Sequence, residues 1–286
     1  MALSQKKGND MGNLFTGLDS LGLGNLSSMD VYENEEKKEV KPVKPEINEA
    51  DLLFDKNYIC PVCEKEFKAK VIRTGKIKLI AADSDLRPKY QAVDSLKYDV
   101  IACPKCGYAA LNRYFNYMTA SQAKMIKQNI SQNFRGLGQE SDVVTYDNAI
   151  MKHKLALANT VVKHAKASEK AYTCLKTAWI LRGKAESLTP DMPNYEKVKE
   201  DLAAEEREFL QNAYDGFMEA FPKEVFPMCG MDENTVCYLV GELARRTGHY
   251  DDAKRWVARV LVSKNANDRI KQKALELKER LTSEAQ

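Results

Sequence analysis

Histidine is scarce in this chain: three in 286 residues, with none before His153. A metal site in the first half therefore has no imidazole to draw on. No histidine stands near a plausible acid or nucleophile either. No stretch approaches the roughly 18 consecutive apolar residues that a membrane helix needs. The opening residues run into polar, glycine-rich sequence instead of an apolar secretory core, so the expectation is a cytoplasmic protein without a membrane partner. Charge of either sign is nearly balanced, 44 Lys and Arg against 41 Asp and Glu, which argues against a dedicated polyanion binder. There is no phosphate-binding glycine loop and no nucleophile elbow. An enzyme with an unrecognised site is thus an alternative, and the main expectation is a non-enzymatic protein.

What is present is cysteine in pairs. Cys60-Pro61-Val62-Cys63 and Cys103-Pro104-Lys105-Cys106 are two Cys-x-x-Cys knuckles, each with proline after its first cysteine. Four thiolates in two such pairs offer a tetrahedral donor set in which every position is filled, as in structural zinc sites. The expectation is one structural Zn2+ on Cys60, Cys63, Cys103 and Cys106. A thioredoxin-type redox motif uses one pair at the start of a helix and fits two matched pairs poorly. Seven cysteines in all, three of them scattered, suit a reducing compartment better than a disulfide framework.

The chain divides by composition. Residues 1–50 read as a disordered tail, rich in glycine, serine and charge, with an apolar island at 14–26. Residues 51–118 read as a zinc-ribbon-like module. Phe67-Lys68-Ala69-Lys70-Val71 alternates as a half-buried strand does, Ile77–Ile80 reads as a second strand after the turn at Gly75, and Tyr98–Ala102 as a third. The 39 residues between Cys63 and Cys103 exceed the spacing of about 15–20 in a simple site. A segment near 83–96 is therefore expected to loop out, with Asp83-Ser84-Asp85 as a loop or helix cap.

Residues 119–286 read as helical. Met151, Leu155, Ala158, Val162 and Ala165 fall at helical spacing, and further helices run from about Ser168 to Leu188 and from an Asn194 cap to Pro222. Others open at Asp232, after Asp251 and after Asn267, the last with Ile270, Ala274, Leu277 and Leu281 on one face. Short joints imply antiparallel neighbours. The stretch Leu239–Ala253 places Gly241 where two helices approach, Gly248 at a helix end and Ala253 where the second helix packs back. That resembles one tetratricopeptide helix–turn–helix unit. The helices near Ser168 and Asp232 are expected to floor a groove for a partner. Cys174 and Cys237 read as small core residues, and Cys229 as an exposed thiol. His153 and His164, eleven residues apart and so roughly 16 Å along a helix axis, cannot share one ion.

Taken together, Cys60–Cys63 with Glu66-Phe67, Asp83-Ser84-Asp85-Leu86-Arg87-Pro88, Lys97–Val100 and Cys103–Ala110 resemble the bacterial domain-of-unknown-function family 2225, found largely in Firmicutes. The resemblance covers about residues 50–265. The leader Gly22–Leu26 is similar to leaders of that family. It implies the zinc module and the helical region and supplies no reaction. Position 64 is Glu where a knuckle often has Gly.

The fold expected is α+β, mostly α: a small zinc-ribbon-like β module, then an α-helical tetratricopeptide-like bundle or short solenoid. The function expected is an interaction or adaptor protein with a protein or peptide partner. The alternative of nucleic-acid binding rests on Lys65, Lys68, Lys70, Arg73, Lys76 and Lys78, though alternating lysines also suit the solvated face of a strand.

Overall fold

Short hairpins come first and helices after, in a computed structural model that describes residues 48–138 and 141–284. The apolar island at 14–26 and the rest of the expected tail up to residue 47 lie outside the described residues. Strand β1 (Leu53–Ile59) pairs antiparallel with β2 (Glu66–Ile72), in register from Leu53 opposite Ile72 to Ile59 opposite Glu66. Strand β3 (Leu79–Ala82) pairs with β4 (Pro88–Tyr90), and β5 (Val100–Ala102) with β6 (Ala109–Leu111). The alternation read in 67–71 is real: Phe67 and Val71 are buried and Lys68 is exposed. Strands β1, β4 and β6 had no such signal. β1 carries Asp55, Lys56 and Asn57 at its centre, β4 opens on proline, and β6 is Ala-Ala-Leu buried on both faces.

The helices are α1 (Ala120–Ile126), which runs on into a π turn, α2 (Tyr146–Val162), α3 (Ala167–Ser187), α4 (Tyr195–Ala220), α5 (Glu233–Arg246), α6 (Tyr250–Val262) and α7 (Asp268–Ser283). The chain is therefore α+β and mostly α. Side-chain caps start several helices. Thr119 and Gln122 form a reciprocal capping box, Asp232 accepts from the Thr235 amide at 2.9 Å, and Asn267 from the Ile270 amide at 2.9 Å. Asn194 does not act as expected: it precedes α4 in a left-handed conformation and makes no side-chain cap.

Two expectations about buried faces need correction. On α2 the apolar stripe is only partly buried: Met151 is 55% exposed and Ala158 exposed, Leu155 and Val162 are half-buried, while His153, Asn159 and Thr160 are buried beside Ala149 and Ala156. Polar residues face inward there because they bond backbone: Asn159 Nδ2 donates to the Gly107 carbonyl at 3.0 Å, and His153 Nδ1 to the Ala149 carbonyl at 2.8 Å. Helices α3 and α5 do not floor an open groove. Residues 236–244 of α5 are buried without a break, and α3 is buried over most of its length. They are the centre of the main core, packed with α4, α6 and α7.

At the joint between α5 and α6, Gly241 and Gly248 stand where the sequence puts them. A Cβ on Gly241 would stand 3.3 Å from Cβ of Trp256 and 3.6 Å from the Ala253 carbonyl, so the bare backbone lets the helices close. On α7, the last helix among the described residues, Ile270, Ala274, Leu277 and Leu281 are all buried as expected. No helix among the described residues is long and apolar enough to cross a membrane.

Candidate metal centre

Each knuckle occupies the turn of a hairpin, and the two are built alike. In the first, the Glu64 amide donates to the Cys60 carbonyl (2.8 Å) and the Cys60 amide to the Lys65 carbonyl (3.1 Å). In the second, the Gly107 amide donates to the Cys103 carbonyl (3.1 Å) and the Cys103 amide to the Tyr108 carbonyl (2.7 Å). Such a turn leaves the residue after the second cysteine left-handed: φ is 61° at Glu64 and 73° at Gly107. The two positions differ in surroundings. Glu64 is exposed, so its side chain is tolerated at the cost of backbone strain. A Cβ on Gly107 would lie 2.6 Å from the Phe134 ring, so glycine is required there by packing as well as by φ.

The hairpin tips face each other. The four Sγ atoms of Cys60, Cys63, Cys103 and Cys106 lie within 4.8 Å of one another, with Cys60 to Cys106 at 3.5 Å and Cys63 to Cys103 at 3.7 Å. These distances exclude disulfides, whose sulfurs sit at about 2.05 Å. They match the edge of a tetrahedron of sulfurs at about 2.3 Å from a central ion, which is about 3.8 Å. Cys60, Cys103 and Cys106 are buried and Cys63 is half-buried.

The electrostatics make the same demand. Hydrogen bonds from the Cys106 and Cys60 thiols hold the Cys103 thiol well below its ordinary range. Those same contacts with Cys103, joined by burial, push Cys60 and Cys106 upward. Four sulfurs this close cannot all ionise without a cation among them, and a divalent ion removes that conflict. The donor set fits a thiophilic metal that takes four ligands, and these four residues could hold one.

An aromatic floor positions the tips. Tyr58 stacks on Phe67 with centroids 5.8 Å apart, Phe115 meets Tyr58 edge-on at 5.5 Å, and Tyr108 lies 5.0 Å from Phe115. The Tyr108 hydroxyl, kept protonated by burial, donates to the Phe115 carbonyl at 2.8 Å. Asn159 then ties the second knuckle to α2 through Gly107.

The segment expected to loop out docks instead. Asp83-Ser84-Asp85 is the turn of the β3–β4 hairpin, and it is neither a free loop nor a helix cap. Asp85 is fully buried. Its oxygens accept from Arg182 Nη1 (3.0 Å) and Nη2 (2.6 Å) and from Trp179 Nε1 (3.0 Å). The Ser84 hydroxyl donates to Glu242 (2.6 Å), and the Tyr238 hydroxyl to the Ser84 carbonyl (2.6 Å). Arg182 also reaches Asp83 and Glu206. Burial alone would raise the Asp85 carboxyl, but Arg182 and Arg246 hold it below its usual range. Glu242 is likewise held down, against its burial, by Arg245, Ser84 and Arg246. Its aspartates are consumed by arginine.

The remaining residues singled out in the sequence fall as follows. Cys174 and Cys237 are core, and Cys229 is buried too, not exposed: its thiol donates to the Ser168 carbonyl at 3.3 Å, and Arg113 donates to its carbonyl. Burial pushes His153 down to about 4, and its Nε2 has no hydrogen-bond partner. Of the basic residues in and just after the first hairpin, Lys70 pairs with Asp55 at 3.1 Å. Arg73 donates to the Leu53 carbonyl at 3.1 Å and lies over Phe54, while Lys65, Lys68, Lys76 and Lys78 are exposed.

A family profile described as "Uncharacterized protein conserved in bacteria (DUF2225)" matches residues 53–281. The chain belongs to this family. The DUF2225 match begins at the first residue of β1 and ends within α7, so it takes in both knuckles, the docked hairpin and the helices. Searches of curated proteins and of solved structures find nothing similar to the chain.

Proposed function

We propose that this DUF2225 chain is a non-enzymatic adaptor of the cytoplasm, in which one structural zinc on Cys60, Cys63, Cys103 and Cys106 fixes the two hairpins and the helical part binds a protein or peptide. The observation that carries this reading is the closed set of four sulfurs. A catalytic zinc keeps a position open for water or substrate, whereas four thiolates fill all four. Such a site supplies folding energy, because the unfolded chain has no preformed cage. It cross-links hairpins too short to stand alone. The helices, in a tetratricopeptide-like arrangement around the Leu239–Ala253 joint, bury α3 and α5 and leave α6 and α7 on the outside.

Nucleic-acid binding is the weaker reading, since two of the six basic residues behind it are engaged within the hairpin. The test is cross-linking of the full chain in a native bacterial extract, with the contacted residues mapped by mass spectrometry. Contacts on residues 119–286 are expected. Contacts confined to 51–118, or a bound species that is nucleic acid and is lost as salt rises, would overturn the adaptor reading.

A further inference from the structure

Helix α7 covers the groove between the two helices before it: it packs against both α5 and α6, and its stripe Ile270, Ala274, Leu277 and Leu281 is buried there. The groove between α6 and α7 has no covering helix among the described residues. It is a concavity of about 490 Å³, walled by Ala258 and Leu261 from α6 and by Leu281 and Thr282 from α7. Its size is that of a site for a few apolar side chains.

The rim gives the groove a sign. Lys254 on α6 and Lys278 on α7 stand on either side of the apolar wall. Lys254 has only a loose, solvent-exposed contact with Asp251 at 3.6 Å, and Lys278 has no ion-pair partner among the described residues. Exposed pairs of this kind contribute little, so both ammonium groups are available to a ligand.

Resting on the adaptor reading, we infer that the α6–α7 groove is the docking site, and that its occupant is an amphipathic helix from another protein with acidic residues flanking its apolar stripe. The helical form follows from the way α7 fills the preceding groove, with apolar residues at the i, i+4, i+7, i+11 positions of a helix laid in a groove. The acidic flanks follow from the two lysines. Charge at such a rim selects the partner and its direction more than it adds affinity.

The probe is a fluorescein-labelled helical peptide with leucines at the spacing of the α7 stripe and glutamates on both sides. A second peptide carries lysines in place of the glutamates. Fluorescence anisotropy with the full chain should show saturable binding of the acidic peptide and little of the basic one. Lys254→Glu with Lys278→Glu should weaken the acidic peptide about tenfold or more and make the basic peptide the better ligand. Both lysines are exposed, and circular dichroism should show the double variant folded as the parent.

Absence of saturable binding, or binding indifferent to the charge reversal, would overturn the groove assignment. So would a dimer of this chain in light scattering that the double variant abolishes, because the occupant would then be a second copy. A native partner cross-linked to helices other than α6 and α7 would remove this inference and leave the adaptor reading standing.

Discussion

The hairpins β1–β2 and β5–β6 end in cysteine knuckles that point at each other, whereas β3–β4 ends in Asp83-Ser84-Asp85, which points into the helices. A two-stranded hairpin is marginal by itself in water, and each of these needs an outside anchor. The first two are joined through a sulfur cage over a small aromatic floor. The third is held by a buried ionic network reaching Trp179, Arg182, Tyr238 and Glu242. The contrast shows two physical solutions to one problem. A metal cage forms among local pairs of ligands and contributes folding energy outright. Buried ion pairs offset their own desolvation only when every partner is present.

Removing one anchor at a time separates them, and the cage should matter most. Cys103→Ser with Cys106→Ser, or a strong chelator on the parent chain, should unfold the two knuckle hairpins, β1–β2 and β5–β6, and leave β3–β4 docked on the helices. Near-ultraviolet signal from Tyr58, Tyr108 and Phe115 should be lost while the helical far-ultraviolet signal largely stays. Collapse of all helices together would show that the two anchors are not separable.

Arg182→Met should come next, at about 3 kcal/mol in urea unfolding, because it leaves the fully buried Asp85 without its main partner. The same network has a pH signature. Asp85 has a folded pKa below its unfolded value, so its contribution is present above the unfolded value near 4 and is lost as pH falls through the folded one. The stability gap between the parent and Asp85→Asn should hold from neutral pH down to about pH 5 and narrow below it. A gap that widens in acid would contradict the assignment of Asp85 as a buried, paired carboxylate.

The two knuckles make a finer comparison. Gly107→Ala should cost about 2 kcal/mol, from left-handed strain plus contact with the Phe134 ring. Glu64→Gly, at the matching and exposed position, should stabilise by about 1 kcal/mol, since it relieves the strain without touching a neighbour. Equal effects of like sign at both positions would show that the shared turn geometry does not govern them. Thermal unfolding of the metal-loaded chains measures both.

This contrast also explains what the sequence could convey. The cage was legible because its ligands come as Cys-x-x-Cys pairs, each set by one turn, so four residues announce themselves in two short strings. The ionic anchor was not, because its partners stand 94 to 162 residues from the β3–β4 turn, and one aspartate among many looks like any surface loop. Helix ends at Asp232, Gly248 and Asn267 were readable from caps, which are local chemistry. The buried face of α2 was not, because Asn159 satisfies the Gly107 carbonyl, which only the folded chain brings near. The burial of Cys229 likewise depends on Ser168 and Arg113 from distant segments.

The central claim is that four cysteines close around one zinc. X-ray absorption at the zinc edge of the purified full chain, with metal content measured on the same sample, tests it most directly. One zinc per chain with four sulfur neighbours at about 2.3 Å is the predicted result, lost in Cys103→Ser with Cys106→Ser. No zinc, a nitrogen or oxygen neighbour in the shell, or zinc retained unchanged by that variant would contradict it.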